Sequence, residues 1–503
     1  MIEKSYWADT ITAPHYPKFT IEEKCDVAVV GAGFTGITTA LLLAEAGLDV
    51  VVLESDRVGS GTSGYTTGKV TVQHDLKYHT LSKNKAAAYA RANEAGFAKV
   101  CELIDSYSIA CDFDRITSYV YAREGEDINL LEKEMKAYEK LGIKSHIVSE
   151  THLPYKTASA LAMDGQAQFH PLKYLNALAS IFVGKGGRIY EHSKVVDFTR
   201  NETCVLTTKR GRLVAPDVVF ATNYPLIDFP GFFFLKLHQS RSYAICADAK
   251  NVDVHGMYIT MNEPANSVRM HYSQDINRLI LIGYGHKTAD GNGCDSFEHL
   301  EEFLKHGFSQ AAECPSYYWS AQDCVSLDGM PYIGALFDKK PNAYVATGFA
   351  KWGITNSAAA AMMLADDIAG TSNFSKQVRK QFDPMRFTPG ASAKNFVTQI
   401  ADVISEFTAG NALIPSGGYS DLEKGQGAVL RIGGKAQALY RDENGNLSAY
   451  KAHCTHMGCP LKYNEADKSF DCPCHGSRFS VLGEVLNGPA KKPLEKIEEK
   501  EAT

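Results

Sequence analysis

Between residues 25 and 54 the chain alternates a short apolar run, a glycine-rich turn, a segment with helically spaced apolar residues and a second apolar run: CDVAVV, GAGFTG, ITTALLLAEAG and LDVVVLE. Short continuous apolar runs read as buried strands, and the middle segment, closed by Gly47, reads as a helix, so the pattern predicts one compact strand–turn–helix–strand unit. Helical and strand-like stretches alternate from there to about residue 385, with strands expected around KVVDF (194–198), DVVFAT (217–222) and RLILIGY (278–284). From Pro384 to Pro415 the composition shifts. Phe396, Ile400, Val403, Ile404 and Phe407 recur there at helical spacing behind a Ser392 cap, which predicts a linker helix within 386–415. Short strand patterns with turns such as DENGN (442–446) follow and predict a small all-β domain. The expected organisation is an extension (1–24), an α/β Rossmann-like domain with a β-rich insert (25–385), the linker, and the all-β domain (416–503).

With 503 residues, 45 % of them hydrophobic, the chain can bury several cores. A net charge of -6 with no extended block of Lys or Arg argues against nucleic acid or a membrane surface as partner. The longest apolar run, Ala358 to Ala365, is too short for a membrane span. MIEKSYWADT lacks the pattern of a secretion signal, so a cytoplasmic protein is expected. Eight cysteines are scattered singly (Cys25, Cys101, Cys111, Cys204, Cys246, Cys294, Cys314, Cys324), and four crowd together near the end with two histidines among them. Such crowding is how ligand sets look.

The crowded segments are HCTHMGCP and DCPCHGSRF, giving Cys454-x-His456 and, fifteen residues on, Cys472-x-x-His475. Each loop offers one thiolate and one imidazole, the mixed set that holds a 2Fe-2S cluster whose potential is raised by replacing two thiolates on one iron. Zinc takes the same ligand types, but its ribbons and fingers favour two to four residues between paired ligands, and the first pair here is separated by one. CTHMGC and CPCHGS resemble the cluster loops of Rieske proteins, most closely those of cytochrome bc complexes, over about residues 416–500. As residues alone, Cys459 and Cys474 are either free thiols or a disulfide; the resemblance implies the disulfide, with Gly488, Pro489 and Ala490 covering the cluster. It also implies that Ser477 keeps a hydrogen bond toward the cluster, whereas the hydroxyl usual two positions on is lost at Phe479. A potential below that of the respiratory proteins, within about -150 to +300 mV, is expected.

Gly31, Gly33 and Gly36 follow the first strand and open the helix, and Glu54 ends the second strand. In that context the glycines allow a tight turn, close approach to a pyrophosphate and close helix packing, while Glu54 reaches ribose hydroxyls; Phe34 and Thr35 lie at the helix start and Ser55 beside Glu54. A dinucleotide is expected. A second literal match, Gly59 to Gly64, comes too soon after Glu54 for another such unit. RVGSGTSGYTTGK instead resembles the loop that runs along the flavin in the D-amino-acid oxidase and glycine oxidase superfamily, which implies FAD and brings in Thr62, Ser63, Thr67 and Lys69. FHPLKYLNAL (169–178), the Val195 region, SLDGMPYIG (326–334) and ATGFAKWGITNSA (346–358) agree. The last maps onto a segment that meets the flavin, here Gly348, Lys351, Trp352, Gly353 and Ile354. The implied fold is the two-domain glutathione-reductase/D-amino-acid-oxidase type.

That superfamily oxidises amines by hydride transfer to flavin without a protein nucleophile, so no catalytic residue is singled out. Glycine-oxidase relatives carry a carboxylate-binding Arg four residues after a Trp; here Trp319 is followed by Asp323, which favours a cationic amine unless Asp323 is a solvated surface residue. Arg241, Tyr243, Arg269 and His271 fall in the insert expected to wall the substrate site. His74 and His79 have the spacing of mononuclear iron ligands in Rieske oxygenases, but those place a catalytic domain after the cluster and this chain does not. Sarcosine-oxidase relatives set a Lys above the flavin two residues before a Gly-Tyr pair, a place that Leu281 takes, so slow oxygen reaction is expected. Two functions stand: an amine-oxidising flavoenzyme that passes electrons to its cluster and then to a protein or quinone-like acceptor, and a redox transfer or sensor protein fed by an external reductase.

Overall fold

The computed structural model describes residues 4–250, 252–273, 276–311, 314–386, 403, 405–408 and 410–497. The predicted unit forms as Val27–Val30, the helix Phe34–Glu45 and Val50–Leu53. Both strands are buried throughout, which is why they read as unbroken apolar runs. They sit inside a six-stranded sheet ordered Tyr332–Ala335, Asn342–Thr347, Asp217–Phe220, Val27–Val30, Val50–Leu53, Arg188–Tyr190. Its pairs are parallel except the one made by Tyr332–Ala335. The helices Phe34–Glu45 and Gly353–Ile368 pack together on one face, tied by Thr35 Oγ1 donating to Ser357 Oγ at 2.8 Å. On the other face lies a four-stranded sheet that begins its antiparallel part at Val195.

The insert is a nine-stranded sheet in which Leu237–Asp248 is flanked by Tyr317–Ser326 and Arg278–Lys287. Strand alternation divides its side chains between two cores: Ala244, Cys246, Ile280 and Trp319 belong with the nucleotide-binding half, while Tyr243, Ile245, Leu279 and Leu281 lie under the helix Gly293–Gly307. The N-terminal segment tucks into the first of these, with Trp7 fully buried, its Nε1 donating to the Thr66 carbonyl at 2.7 Å and its ring under the Arg269 guanidinium.

Residues from 427 on form a three-stranded and a four-stranded antiparallel sheet around one small core. Within the expected linker, residues 405–408 and 410–413 are helical and Val403 packs on that core; Ser392, Phe396, Ile400 and Ile404 lie outside the described residues. Among the described residues no helix is long and apolar enough to cross a membrane.

Candidate functional site

Around the first turn the backbone is cleared of side chains. Gly31 has φ +102° and a Cβ there would lie 2.7 Å from the Ala221 carbonyl oxygen; a Cβ on Gly33 would lie 2.8 Å from Ser63 Oγ, and one on Gly36 would overlap the Gly31 carbonyl. Only glycine leaves the first amides of the helix open to an anion. The Phe34 amide meets Ser63 Oγ at 3.1 Å, and Glu54, at the strand end, accepts from the Ala32 and Asp56 amides and the Ser55 hydroxyl. This cradle fits a dinucleotide.

Thr62 Oγ1 donates to the Gln322 carbonyl at 3.1 Å and Asn223 Nδ2 to the same carbonyl at 2.9 Å, which draws the 59–64 loop against the Tyr317–Ser326 strand. The turn at Gly348, Ala350 and Lys351, all with positive φ, docks beside it through the Ala350 amide on the Cys324 carbonyl. Trp352 stacks on His74, and Gly353 and Ile354 begin the following helix. The Thr67 carbonyl accepts from Arg269, and the Lys69 ammonium, buried so that it falls to about 7, donates to the Tyr258 carbonyl and the Ser267 hydroxyl.

The strands Leu237–Asp248 and Tyr317–Ser326 carry the rest. On the face toward the nucleotide-binding loops stand His238 and Asp323, with Trp319 donating to the Tyr65 carbonyl. Burial pushes the Asp323 carboxyl up to about 6, with Lys351 and Arg241 opposing, and holds His238 near 4. Arg241 and Tyr243, expected within the insert, have the opposite parity and face the small domain. Arg269 and His271 are buried beneath Trp7 and Tyr6. Leu281 lies on the face away from the nucleotide-binding loops, under the Gly293–Gly307 helix, and the register runs unbroken from it to Gly283; the bulge, where Tyr284 and Gly285 together oppose Ser242, comes after. His74 and His79 are satisfied by Thr71 and Tyr89, and by Glu134.

The two cysteine-histidine loops have one shape. In each, the Cys carbonyl (Cys454, Cys472) accepts from a glycine amide four residues on (Gly458, Gly476), both glycines having positive φ, and the Cys amide donates back to residue 459 or 477. The Cys454 and Cys472 thiols hydrogen-bond each other, which chiefly draws Cys454 down to about 7. The His456 and His475 rings stand 5.2 Å apart at 88°. Cys459 and Cys474 form a disulfide between the loops. Their sulfurs also lie within 4.8 Å of Cys472 Sγ, but bonded to each other they are not free to ligate. Two thiols and two imidazoles brought together on two braced loops fit a 2Fe-2S cluster. Ser477 Oγ accepts from the Ala490 amide at 3.0 Å, and Phe479 is wholly buried.

Sequence reasoning missed the junction between the domains. Gln239 Nε2 donates to the carbonyls of His475 and Gly488, both at 2.8 Å, and Gln322 Nε2 donates to the Gly476 carbonyl at 2.9 Å and to Gln239 Oε1. Arg241 pairs with Asp467 at 2.5 Å. Burial alone would raise Asp467, yet Arg241 and Arg478 hold it below the usual carboxylate range. Phe234 sets its ring against both ligand histidines, and Asp228 lies 3.9 Å from His456 Nε2.

A nucleotide cradle under a mixed sheet, with a thiol-imidazole pair of loops docked on that sheet, defines a flavin oxidoreductase fused to an iron-sulfur domain. The FAD dependent oxidoreductase family (DAO) matches residues 26–367, and the Rieske [2Fe-2S] domain matches residues 413–498. The chain belongs to the DAO family of FAD-dependent oxidoreductases, with a Rieske domain at its C-terminal end, and its cofactors are FAD and a 2Fe-2S cluster. It is 34 % identical over 501 residues to the Rieske 2Fe-2S iron-sulfur protein YhfW of Bacillus subtilis strain 168, covering 98 % of this chain and 97 % of that one. Gamma-glutamylputrescine oxidoreductase of Escherichia coli strain K12 is 28 % identical over 385 residues, 73 % of this chain and 89 % of that one. The crystal structure of glycine oxidase from Geobacillus kaustophilus shares the fold with TM-score 0.63 at 20 % identity, covering 73 % of this chain and 99 % of that one.

Proposed function

We propose that the chain is a cytoplasmic FAD-dependent dehydrogenase that oxidises an amine-type substrate and passes the electrons to its own Rieske cluster and then to a partner. When bound, FAD accepts hydride from a C–H next to nitrogen, and the cluster carries electrons singly. Gly31, Gly33, Phe34, Thr35 and Gly36 would hold the pyrophosphate and Glu54 with Ser55 the ribose. Thr62, Ser63, Thr67, Lys69, Val195, Gly348, Lys351, Trp352, Gly353 and Ile354 would surround the remainder of FAD. Cys454, His456, Cys472 and His475 would hold the cluster.

The observation that carries the reading is Gln322, whose carbonyl holds Thr62 of the proposed FAD loop and whose side chain holds the loop of His475. One residue joins the two sites. On the opposite face Asp323, which makes no hydrogen bond to another described residue, offers a carboxylate to a cationic amine, and the gamma-glutamylputrescine oxidoreductase relative supports an amine donor. Anaerobic titration of the purified protein with a panel of amines, following flavin bleaching and then the reduced-cluster signal, tests both parts. If no amine bleaches the flavin while an external reductase fills the cluster, the chain is a carrier and the enzyme reading is wrong.

A further inference from the structure

Beside the two ligand histidines stands an apolar prominence that the redox chemistry does not use. Residues 228–236 read DFPGFFFLK. Phe233 turns into the core, whereas Phe229 and Phe232 are 64 % and 43 % exposed. Their rings pack edge to face at 4.9 Å, and each lies 6.4 Å from Phe234. Phe234 in turn meets His456 at 5.9 Å and His475 at 5.8 Å. Met457, next to His456, is also exposed. The rings brace one another outward, and a cluster of exposed apolar side chains of this kind marks a contact with something outside the molecule.

The charge alongside is of one sign. Exposed Lys491 and Lys492 flank the first cluster loop, the former acting on His456 and the latter accepting the Thr455 hydroxyl through its carbonyl at 2.6 Å. Asp228, the acid of the prominence, is turned inward, bonded by Tyr224 at 3.0 Å and facing His456. Phenylalanine and methionine beside lysine is the composition of an interfacial lipid anchor, apolar side chains for the acyl boundary and cations for anionic headgroups. A protein-docking centre shares the Phe and Met but is depleted in Lys and rich in Tyr, Trp and Arg.

We infer that this face docks on an anionic lipid surface, with Phe229 and Phe232 entering the bilayer boundary and Lys491 and Lys492 meeting the headgroups. The inference deepens the outlet reading, since it sets the ligand histidines one aromatic ring behind the membrane, but docking is measured apart from turnover. The test is co-sedimentation of the holoprotein with phosphatidylcholine vesicles containing a quarter phosphatidylglycerol, against pure phosphatidylcholine, at low and high salt. The expected result is binding that depends on phosphatidylglycerol and weakens with salt, reduced at least tenfold in Phe229→Ser/Phe232→Ser and made independent of phosphatidylglycerol in Lys491→Glu/Lys492→Glu. The serine variant should keep its flavin and cluster spectra and its bleaching by amine. Absence of wild-type binding at low salt, or equal binding by the serine variant, overturns the inference. So does binding of an acidic ferredoxin that the serine variant loses while vesicles bind neither form. Loss of amine bleaching in all forms with vesicle binding intact would instead count against the enzyme reading alone.

Discussion

The strands Leu237–Asp248 and Tyr317–Ser326 present two faces that differ in kind. Toward the small domain, Gln239, Arg241, Ser320 and Gln322 have partners for nearly every polar group, and they fix the cluster loops in one place. Toward the nucleotide-binding loops, His238 and Asp323 are left with electrostatic neighbours and no hydrogen bond to another described residue. Saturated polar contacts make a rigid joint, while the half-buried Asp323 carboxylate is left without a hydrogen-bond partner among the described residues. Period-two alternation therefore gives one strand a joint on one face and, in the function proposed, a substrate wall on the other, a single backbone apart.

The most drastic way to break the comparison is to empty one side. Cys472→Ser or His475→Ala should abolish the cluster and leave FAD stoichiometric, while Gly33→Val should deplete FAD and leave the cluster, read from iron content and flavin absorbance. Loss of both cofactors in either variant would mean that the faces are not independent. Next comes the joint: Arg241→Met leaves Asp467 with Arg478, Ser320 and Asn464, and breaking a buried pair should destabilise the docked state by about 3 kcal/mol. Denaturant titration of Arg241→Met, Asp467→Asn and the double variant checks it, since additive effects would deny the coupling.

On the substrate side, Asp323→Asn should raise KM for a cationic amine about tenfold, or roughly 1.4 kcal/mol, with the cluster spectrum unchanged. Its titration gives a sign as well. The carboxyl holds its proton to about pH 6 in the fold against an ordinary value of 3.8, so stability falls as pH rises from about 4 to 6, whereas amine binding strengthens over its upper part. The Asn variant should lose both trends. Smallest is Gln322→Leu, which removes the hydrogen bond to the Gly476 carbonyl and should lower stability by about 1 kcal/mol. A shift in the cluster's resonance signal, absent in Asp323→Asn, would place the change on the joint rather than on the wall.

The glycines of the first turn, Glu54 and the four candidate cluster ligands were legible because each set is local: a turn next to its strand, two residues within one loop. The Gln239–Gly488 and Gln322–Gly476 contacts join residues 249 and 154 positions apart, and neither glutamine carries a sign of its partner. Alternation along HQSRSYAICAD was visible, but not which face met the small domain, so Arg241 and Tyr243 could be placed in the insert but on neither side of it. The bulge at Tyr284 and Gly285 was hidden for a different reason, since no residue type announces it; Tyr284 adopts a positive φ without being Gly or Asn.

The three tryptophans of the chain are Trp7, Trp319 and Trp352. The first two donate to the neighbouring carbonyls of Thr66 and Tyr65, and the third stacks on His74, so all the indoles gather around one loop of the larger domain. Ultraviolet emission from this protein is thus a spectroscopic window on the larger domain, which holds every indole. Emission and visible absorbance will follow two different unfolding events in one cuvette.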